Sequence, residues 1–298
     1  GTYRITGDRT SFVSSVNGGF DIKNIMVAGR EYLIQSTYSS LVLYIKGEKH
    51  WEYSDIIAGY IEPTSAIEYD YLGNLWAAHT VRGIFKVKLG YDLDSILTVK
   101  YYGKEQGFPF EKHLGVSKID KRIVFTTGEK LYTYDDIQDT IVPYEQLNRK
   151  MGEFSKANVI SQGAQNHYWF VQGQKIGYFN MQNSHIKKIF QYDLSRQGVY
   201  LVNNLHKIIS LNDNIFCICL DNGFALYEQN NTEFDKDPVN LTLREVSARN
   251  NSGTVQYLNL SSLDEGKRLK YSFRNLEFIF SSIQNCKVPE FSYRLTGL

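Results

Sequence analysis

Cysteine, proline and methionine are scarce in this 298-residue chain, which contains only 3, 5 and 3 of them. Three cysteines are too few for the disulfide framework of a small secreted domain. Cys217 and Cys219 lie two positions apart, so they share one face of a predicted strand. Cysteines in such a position serve more often as small buried apolar side chains than as metal ligands. A metal site would need more cysteine or histidine at ligand spacing. We therefore expect no metal and no cofactor.

Long apolar runs and charge of one sign are also missing. No stretch approaches the roughly 18 apolar residues that cross a bilayer, and the chain shows no signal peptide. The 33 basic and 32 acidic residues give a net charge of +1, without a Lys/Arg run. We therefore expect this segment to bind no nucleic acid. Two alternatives stay open: a cytosolic protein, or an excised piece of a longer one.

Aromatic residues are abundant, at 14% of the chain, and they favour strands. A pair of apolar strands joined by a short turn occurs five times. The first strands of these pairs align on Tyr32, Leu75, Ile123, Tyr168 and Ile215, at spacings of 43, 48, 45 and 47 residues. Such a repeat is typical of propeller blades, because one four-stranded sheet cannot bury both of its faces alone. The sequence predicts an all-β protein with about five blades over residues 1–237, as part of a larger, seven-bladed β-propeller.

The second repeat shows the blade pattern most clearly. Its predicted strands are residues 66–69, 75–78, 83–87 and 97–102, and Gly73 and Asn74 suit a turn with positive φ. Residues 1–5 resemble the third strand of a preceding blade, and only residues 144–152 look helical.

From residue 238 onward the pattern changes to a different set of strands. They are predicted at residues 241–246, 269–273, 276–280 and 291–295. Strict alternation in residues 276–280 is typical of a two-sheet sandwich. About four strands are present where seven are usual. We therefore expect residues 238–298 to be part of an immunoglobulin-like β-sandwich, and both ends of the chain to be cut.

These motifs together resemble a known family of sensor proteins. Asp70, residues 73–76 and residues 83–85 match the two-component regulator propeller repeat, whose core is D-x-x-G-N-L-W, and residues 221–227 match its second half. Residues 275–280, Pro289 and residues 293–297 resemble the opening of the triple-tyrosine domain that follows such propellers.

The resemblance implies the periplasmic sensor region of an inner-membrane regulator of Bacteroidetes-like bacteria. A membrane helix outside this chain would anchor it, followed by a histidine kinase or a DNA-binding module. The ligand would be an oligosaccharide released from polysaccharides, and the full-length protein a homodimer. The segment itself would not be an enzyme.

Candidate ligand-binding residues are His79, Arg82, Lys112 and His113, which lie in loops expected at one face of the propeller. The sequence contains no H-E-x-x-H, G-x-S-x-G or P-loop motif. Two alternatives to a sensor stay open, namely a propeller lyase or glycosidase and a protein-interaction propeller without a small ligand. Trp76 and Trp169 could stack on a sugar, although packing between blades is the more common role of such residues.

Overall fold

The computed structural model describes residues 1–7, 9–48, 50–182, 185–202, 206–212, 214–229, 241–258 and 269–282. These residues form two compact units. The first unit comprises Gly1–Ser195 and Val199–Glu228, and the second comprises Arg196–Gly198 and Gln229–Leu298. The predicted boundary after residue 237 lies outside the described residues.

Antiparallel sheets follow one another along the first unit. A hairpin of β1 (Thr2–Thr6) and β2 (Arg9–Ser14) comes first. The first sheet contains β3 (Asp21–Val27), β4 (Arg30–Ser36), β5 (Leu41–Lys46) and β6 (Trp51–Ile56). The second contains β7 (Thr64–Tyr69), β8 (Asn74–His79), β9 (Ile84–Leu89) and β10 (Ile96–Tyr102).

Three further sheets complete this unit. The third contains β11 (Gly115–Ile119), β12 (Arg122–Thr126), β13 (Leu131–Asp135) and β14 (Thr140–Pro143), and the fourth contains β15 (Val159–Gln162), β16 (His167–Gln172), β17 (Lys175–Gln182) and β18 (His185–Asp193). The fifth contains β19 (Ile208–Ser210), β20 (Ile215–Leu220) and β21 (Gly223–Glu228). Helical segments are α1 (Glu145–Met151) and 3₁₀ turns at Lys104–Gln106, Gly152–Lys156 and Leu194–Gln197. The predicted strands and the predicted helix of this unit are confirmed.

The middle strands of each sheet are apolar on both faces. Leu75, Trp76, Ala77 and Ala78 of β8 are consecutive and fully buried, because a neighbouring sheet covers each face. Continuous apolar runs of this kind mark strands that water reaches on neither side. The hydrophobic clusters accordingly join residues of successive sheets.

The first strands of the sheets lie side by side around a common axis. β3 contacts β7, β7 contacts β11, and β11 contacts β15. Lys207, immediately before β19, reaches Asp21 of β3 at 3.1 Å, which joins the fifth sheet to the first. Glu68 of β7 pairs with Lys23 at 2.9 Å and with Lys118 at 3.6 Å. The sheets are therefore the blades of a β-propeller, as predicted, and the larger number of seven blades stays a prediction.

Trp76 and Trp169 pack between blades, as expected, because both rings lie against aromatic rings of the next sheet. Trp76 contacts Phe125 and Tyr134, at centroid distances of 5.3 and 4.9 Å. Trp169 contacts Phe216 and Tyr227, at 5.5 and 5.3 Å. Neither indole ring is exposed for stacking on a sugar.

Asp70 explains the spacing of the repeat motif. Its Oδ1 accepts hydrogen bonds from the Leu72 and Asn74 amides, at 2.9 and 2.8 Å. Its Oδ2 accepts from Trp76 Nε1 at 2.8 Å. Gly73 completes this turn with a φ of 78°, whereas Asn74, predicted at positive φ, already begins β8. One carboxylate thus holds both the turn and the indole that packs between two blades.

The fourth sheet has no equivalent of Asp70. Asp70 lies six residues before Trp76, and the residue six positions before Trp169 is Gly163. Tyr178 stacks on Trp169 at 4.4 Å, and a Cβ at position 163 would lie 2.7 Å from the Tyr178 ring. No described residue bonds the buried Trp169 Nε1. The Trp169 ring of this blade is therefore held by stacking on Tyr178, without the hydrogen bond that Asp70 makes to Trp76.

The described part of the second unit contains β22 (Leu241–Asn250), β23 (Val255–Leu258) and β24 (Phe273–Ser282). They form one antiparallel sheet with β22 in the middle, in the order β23-β22-β24. Two of the predicted strands are confirmed. The strand predicted at 269–273 is wrong, because the Phe273 amide donates to the Lys270 carbonyl at 2.9 Å and closes a turn there. Pro289, residues 291–295 and residues 293–297 lie outside the described residues.

We expect Asp70→Ala to lower the free energy of unfolding by about 2–4 kcal/mol, since the buried Trp76 Nε1–H and turn amides would lose their acceptor. Asp221→Ala, in the exposed turn before β21, should change it by no more than about 0.5 kcal/mol. Urea unfolding of both variants measures the difference. Equal losses in the two variants would show that the Asp70 hydrogen bonds do not carry this stability.

Candidate functional site

His79 ends β8 and is buried beneath the turn that follows it. Its Nδ1 accepts hydrogen bonds from the Val81 and Arg82 amides, at 3.0 and 3.1 Å. Because Nδ1 accepts, a neutral ring carries its proton on Nε2, which lies 3.3 Å from Glu62 Oε2. The ring therefore holds the turn from inside, and it does not line the cleft described below.

Arg82 points to the same carboxylate. Its Nη2 donates to Glu62 Oε2 at 2.7 Å, and the side chain is about half exposed. Burial of His79 and the nearby Arg82 charge lower the pKa of His79 below 6.5, and Glu62 opposes this shift. Of this predicted pair, the structure thus places one residue inside the protein and the other in a surface ion pair.

Lys112 and His113 lie together in a cleft of about 570 Å³ at the loop face between the second and third sheets. The segment before β11 supplies one wall, the turn of Thr127, Gly128 and Glu129 supplies another, and Val81 and Asn158 complete it. We call this space the loop cleft. Its volume lies in the range of roughly 300–1,000 Å³ that ligand sites occupy.

Backbone bonds hold the walls of the loop cleft in place. The Gly83 amide donates to the Glu111 carbonyl at 2.7 Å, which ties the His79 turn to the segment before β11. Thr127 Oγ1 accepts from the Glu129 and Lys130 amides, at 3.2 and 3.0 Å. These bonds fix the positions of the loops that form the cleft.

A second cleft, which the sequence did not indicate, lies on the opposite face, where the first and second strands are joined. It measures about 530 Å³, and the turns 70–72 and 120–123, Tyr134 and α1 line it. We call it the turn cleft. Arg122 lies 5.4 Å from the Tyr144 ring, and Tyr71 is 67% exposed. These residues come together only because three sheets meet there.

The two cysteines that share a strand can be placed as well. Cys217 and Cys219 are half-buried free thiols of β20. Within the described ranges, no group of three or more His, Cys, Asp or Glu side chains could hold a metal ion. No helix in the described part of the chain is long and apolar enough to span a membrane.

Neither a family model nor a curated protein matches this chain. Among solved structures, a catalytically inactive virginiamycin B lyase from Staphylococcus aureus with quinupristin is similar, at 13% identity and a TM-score of 0.45, over 74% of this chain and 71% of the lyase.

Two similar structures are extracellular domains of hybrid two-component systems of B. thetaiotaomicron. One is 12% identical with a TM-score of 0.48, and covers 94% of this chain and 38% of that domain. The other is 14% identical with a TM-score of 0.46, and covers 93% and 43%. This chain therefore spans less than half of each regulator domain.

We expect the stability of the protein to fall as the pH drops below about 6.5, the ordinary pKa of histidine. In that range the unfolded state binds a proton that the folded state, with its lowered His79 pKa, does not yet bind. His79→Asn keeps an acceptor for the turn amides but does not titrate. Melting temperatures of wild type and variant should differ in their slope between pH 7 and pH 5.

The comparison at pH 8 is the control, since His79 is neutral there in both the folded and the unfolded state. Parallel curves for the two proteins from pH 8 to pH 5 would show that His79 does not contribute to the pH dependence.

Proposed function

We propose that this chain is the ligand-sensing region of a membrane-anchored signalling protein, that it faces the periplasm, and that it binds an oligosaccharide without converting it. The loop cleft is the observation that carries the proposal. It joins loops of two adjacent blades, and both Lys112 and His113 line it, which supports a ligand site at one face of the propeller.

The side chains of the loop cleft suit a polyhydroxyl ligand. Lys104, Lys112 and His113 offer hydrogen-bond donors, and Glu111 and Glu129 offer acceptors. Sugar hydroxyls both donate and accept, so a cleft with both kinds of group can bind them in a fixed orientation. Phe110, which is partly buried, adds an apolar surface of the kind that packs on a sugar ring.

Sensing requires that the ligand favour one of two arrangements of the protein. The loop cleft suits this role because its walls belong to different blades. A ligand that contacts both walls stabilises the arrangement in which they are close. The proposed homodimer and the membrane helix outside this chain would carry that change to an output module.

The test is thermal-shift screening with neutral and acidic oligosaccharides, followed by calorimetry. A ligand at about 100 times its Kd should stabilise the protein by about 2.7 kcal/mol. Lys112→Ala combined with His113→Ala should weaken binding at least about tenfold, through the loss of hydrogen bonds. Lys187→Ala, on the exposed outer strand β18, is the control and should bind as wild type does.

Two outcomes would contradict the proposal. One is an oligosaccharide that binds the double variant and the wild type equally well. The other is release of products from an oligosaccharide, abolished in Glu111→Gln or Glu129→Gln, which would identify the loop cleft as the active site of a propeller glycosidase or lyase.

A further inference from the structure

Three lysines gather on one face of the second sheet, at its outer edge. Lys86 and Lys88 are alternate residues of β9, so their side chains leave the same face. Lys100 of β10 stands directly opposite Lys86 in the antiparallel pairing. Like charges opposite each other destabilise a sheet, so this arrangement needs a compensating partner.

Asp139 compensates one of these charges. Its carboxylate accepts hydrogen bonds from Lys100, Tyr102 and Tyr134, and these bonds lower the pKa of Asp139 well below its usual range. Burial raises the pKa of Tyr134 to about 12, so its hydroxyl keeps the proton that it donates. The hydrogen-bonding capacity of Asp139 is largely used by these three donors.

The other two ammonium groups meet neutral oxygens. Lys86 Nζ donates to the Tyr134 hydroxyl at 2.9 Å and lies 4.2 Å from the centre of that ring. Lys88 Nζ donates to the Leu72 carbonyl at 3.0 Å. An ammonium has three donors, so each of these groups has capacity for a further acceptor.

All three lysines line one hollow of about 470 Å³, together with Asn74, Thr98, Tyr102, Tyr134 and the two carboxylates of Asp136 and Asp139. We call it the lysine hollow. It is larger than a single oxyanion requires, so it has room for a larger molecule that carries an anionic group. Tyr134 and Asp136 line both the lysine hollow and the turn cleft, whose lining also includes Lys121, Arg122 and Lys150 beside Asp70 and Asp120. The two spaces are thus adjacent.

We propose that the lysine hollow binds the carboxylate or sulfate groups of an acidic oligosaccharide that extends toward the turn cleft, an inference that rests on the proposed function for the choice of an oligosaccharide. Lys88 binds the anionic group through charge-assisted hydrogen bonds, which are the strong kind, and Lys100 contributes the donors that its bond with Asp139 leaves available. This site is separate from the loop cleft, which lies at the opposite face.

The test measures binding of three probes by calorimetry. Trigalacturonate carries carboxylates, a sulfated trisaccharide carries sulfates, and maltotriose is neutral. We expect trigalacturonate or the sulfated trisaccharide to bind, and added NaCl to weaken the binding, because the contacts are ionic. Maltotriose, which has no charge, should not bind in the hollow. Absence of binding by both acidic probes would overturn the proposal.

Lys88→Gln combined with Lys100→Gln should weaken binding of the acidic probe at least about tenfold. Lys187→Gln combined with Lys188→Gln, on the outer strand β18 of the fourth sheet, is the matched control, because it removes the same charge elsewhere. If both double variants bind the acidic probe equally weakly, the effect is one of net charge only, and the proposal is overturned. The double variant Lys112→Ala, His113→Ala should bind the acidic probe as tightly as wild type does, even if it binds no ligand in the loop cleft.

A second measurement does not depend on the variants. The bound acidic probe should protect Lys88 and Lys100 of the wild-type protein from acetylation, as read by mass spectrometry, and leave Lys187 as reactive as before. Unchanged reactivity of Lys88 and Lys100 in the presence of saturating probe would contradict binding in the lysine hollow.

Discussion

The middle strands of the sheets are apolar on both faces, and this one constraint determines most of the first unit. A sheet such as β7–β10 can exclude water from both faces only between two other sheets. Leu75 packs on the first-sheet side and Trp76 on the third-sheet side, so consecutive residues of one strand belong to different hydrophobic clusters. The blades therefore stabilise one another, and no single blade has a complete core.

Polar contacts then fix the positions of the blades that the apolar faces bring together. Around the axis, Asp21, Glu68 and three lysines form ion pairs between first strands, and the pair with Lys207 connects the fifth sheet with the first. Burial alone would tend to lower the pKa of Lys23, but Glu68 and Asp21 outweigh it and raise that pKa. Apolar packing is not directional, whereas these pairs align the inner strands.

The sequence predicted the fold well because its repeat is a direct consequence of that packing. Each blade needs the same short strands and tight turns, so the 43–48-residue spacing reveals the sheets without any knowledge of their contacts. The D-x-x-G-N-L-W motif was also informative, since its residues bond to one another within a single turn.

The sites were harder to predict, because they depend on contacts between residues far apart in the chain. His79 has the donor and acceptor groups of a ligand-binding residue, and only its bonds to the Val81 and Arg82 amides show that it holds a turn. The lysine hollow left a weak signal in the alternation of Lys86 and Lys88. That signal becomes meaningful only when the hairpin register places Lys100 opposite Lys86.

The loop cleft and the lysine hollow both adjoin the interface between the second and third sheets. The centre of this interface is Trp76, which bonds Asp70 on its own blade and packs on Phe125 and Tyr134 of the next. Tyr134 in turn bonds Lys86 and Asp139 at the edge of the lysine hollow. A ligand at either site therefore acts on the same pair of blades. Because a ligand shifts an equilibrium only by its difference in affinity for two arrangements, coupling between the sites requires that this interface have two arrangements. The Trp76 interface is the place in this unit where a change in blade spacing would affect both sites.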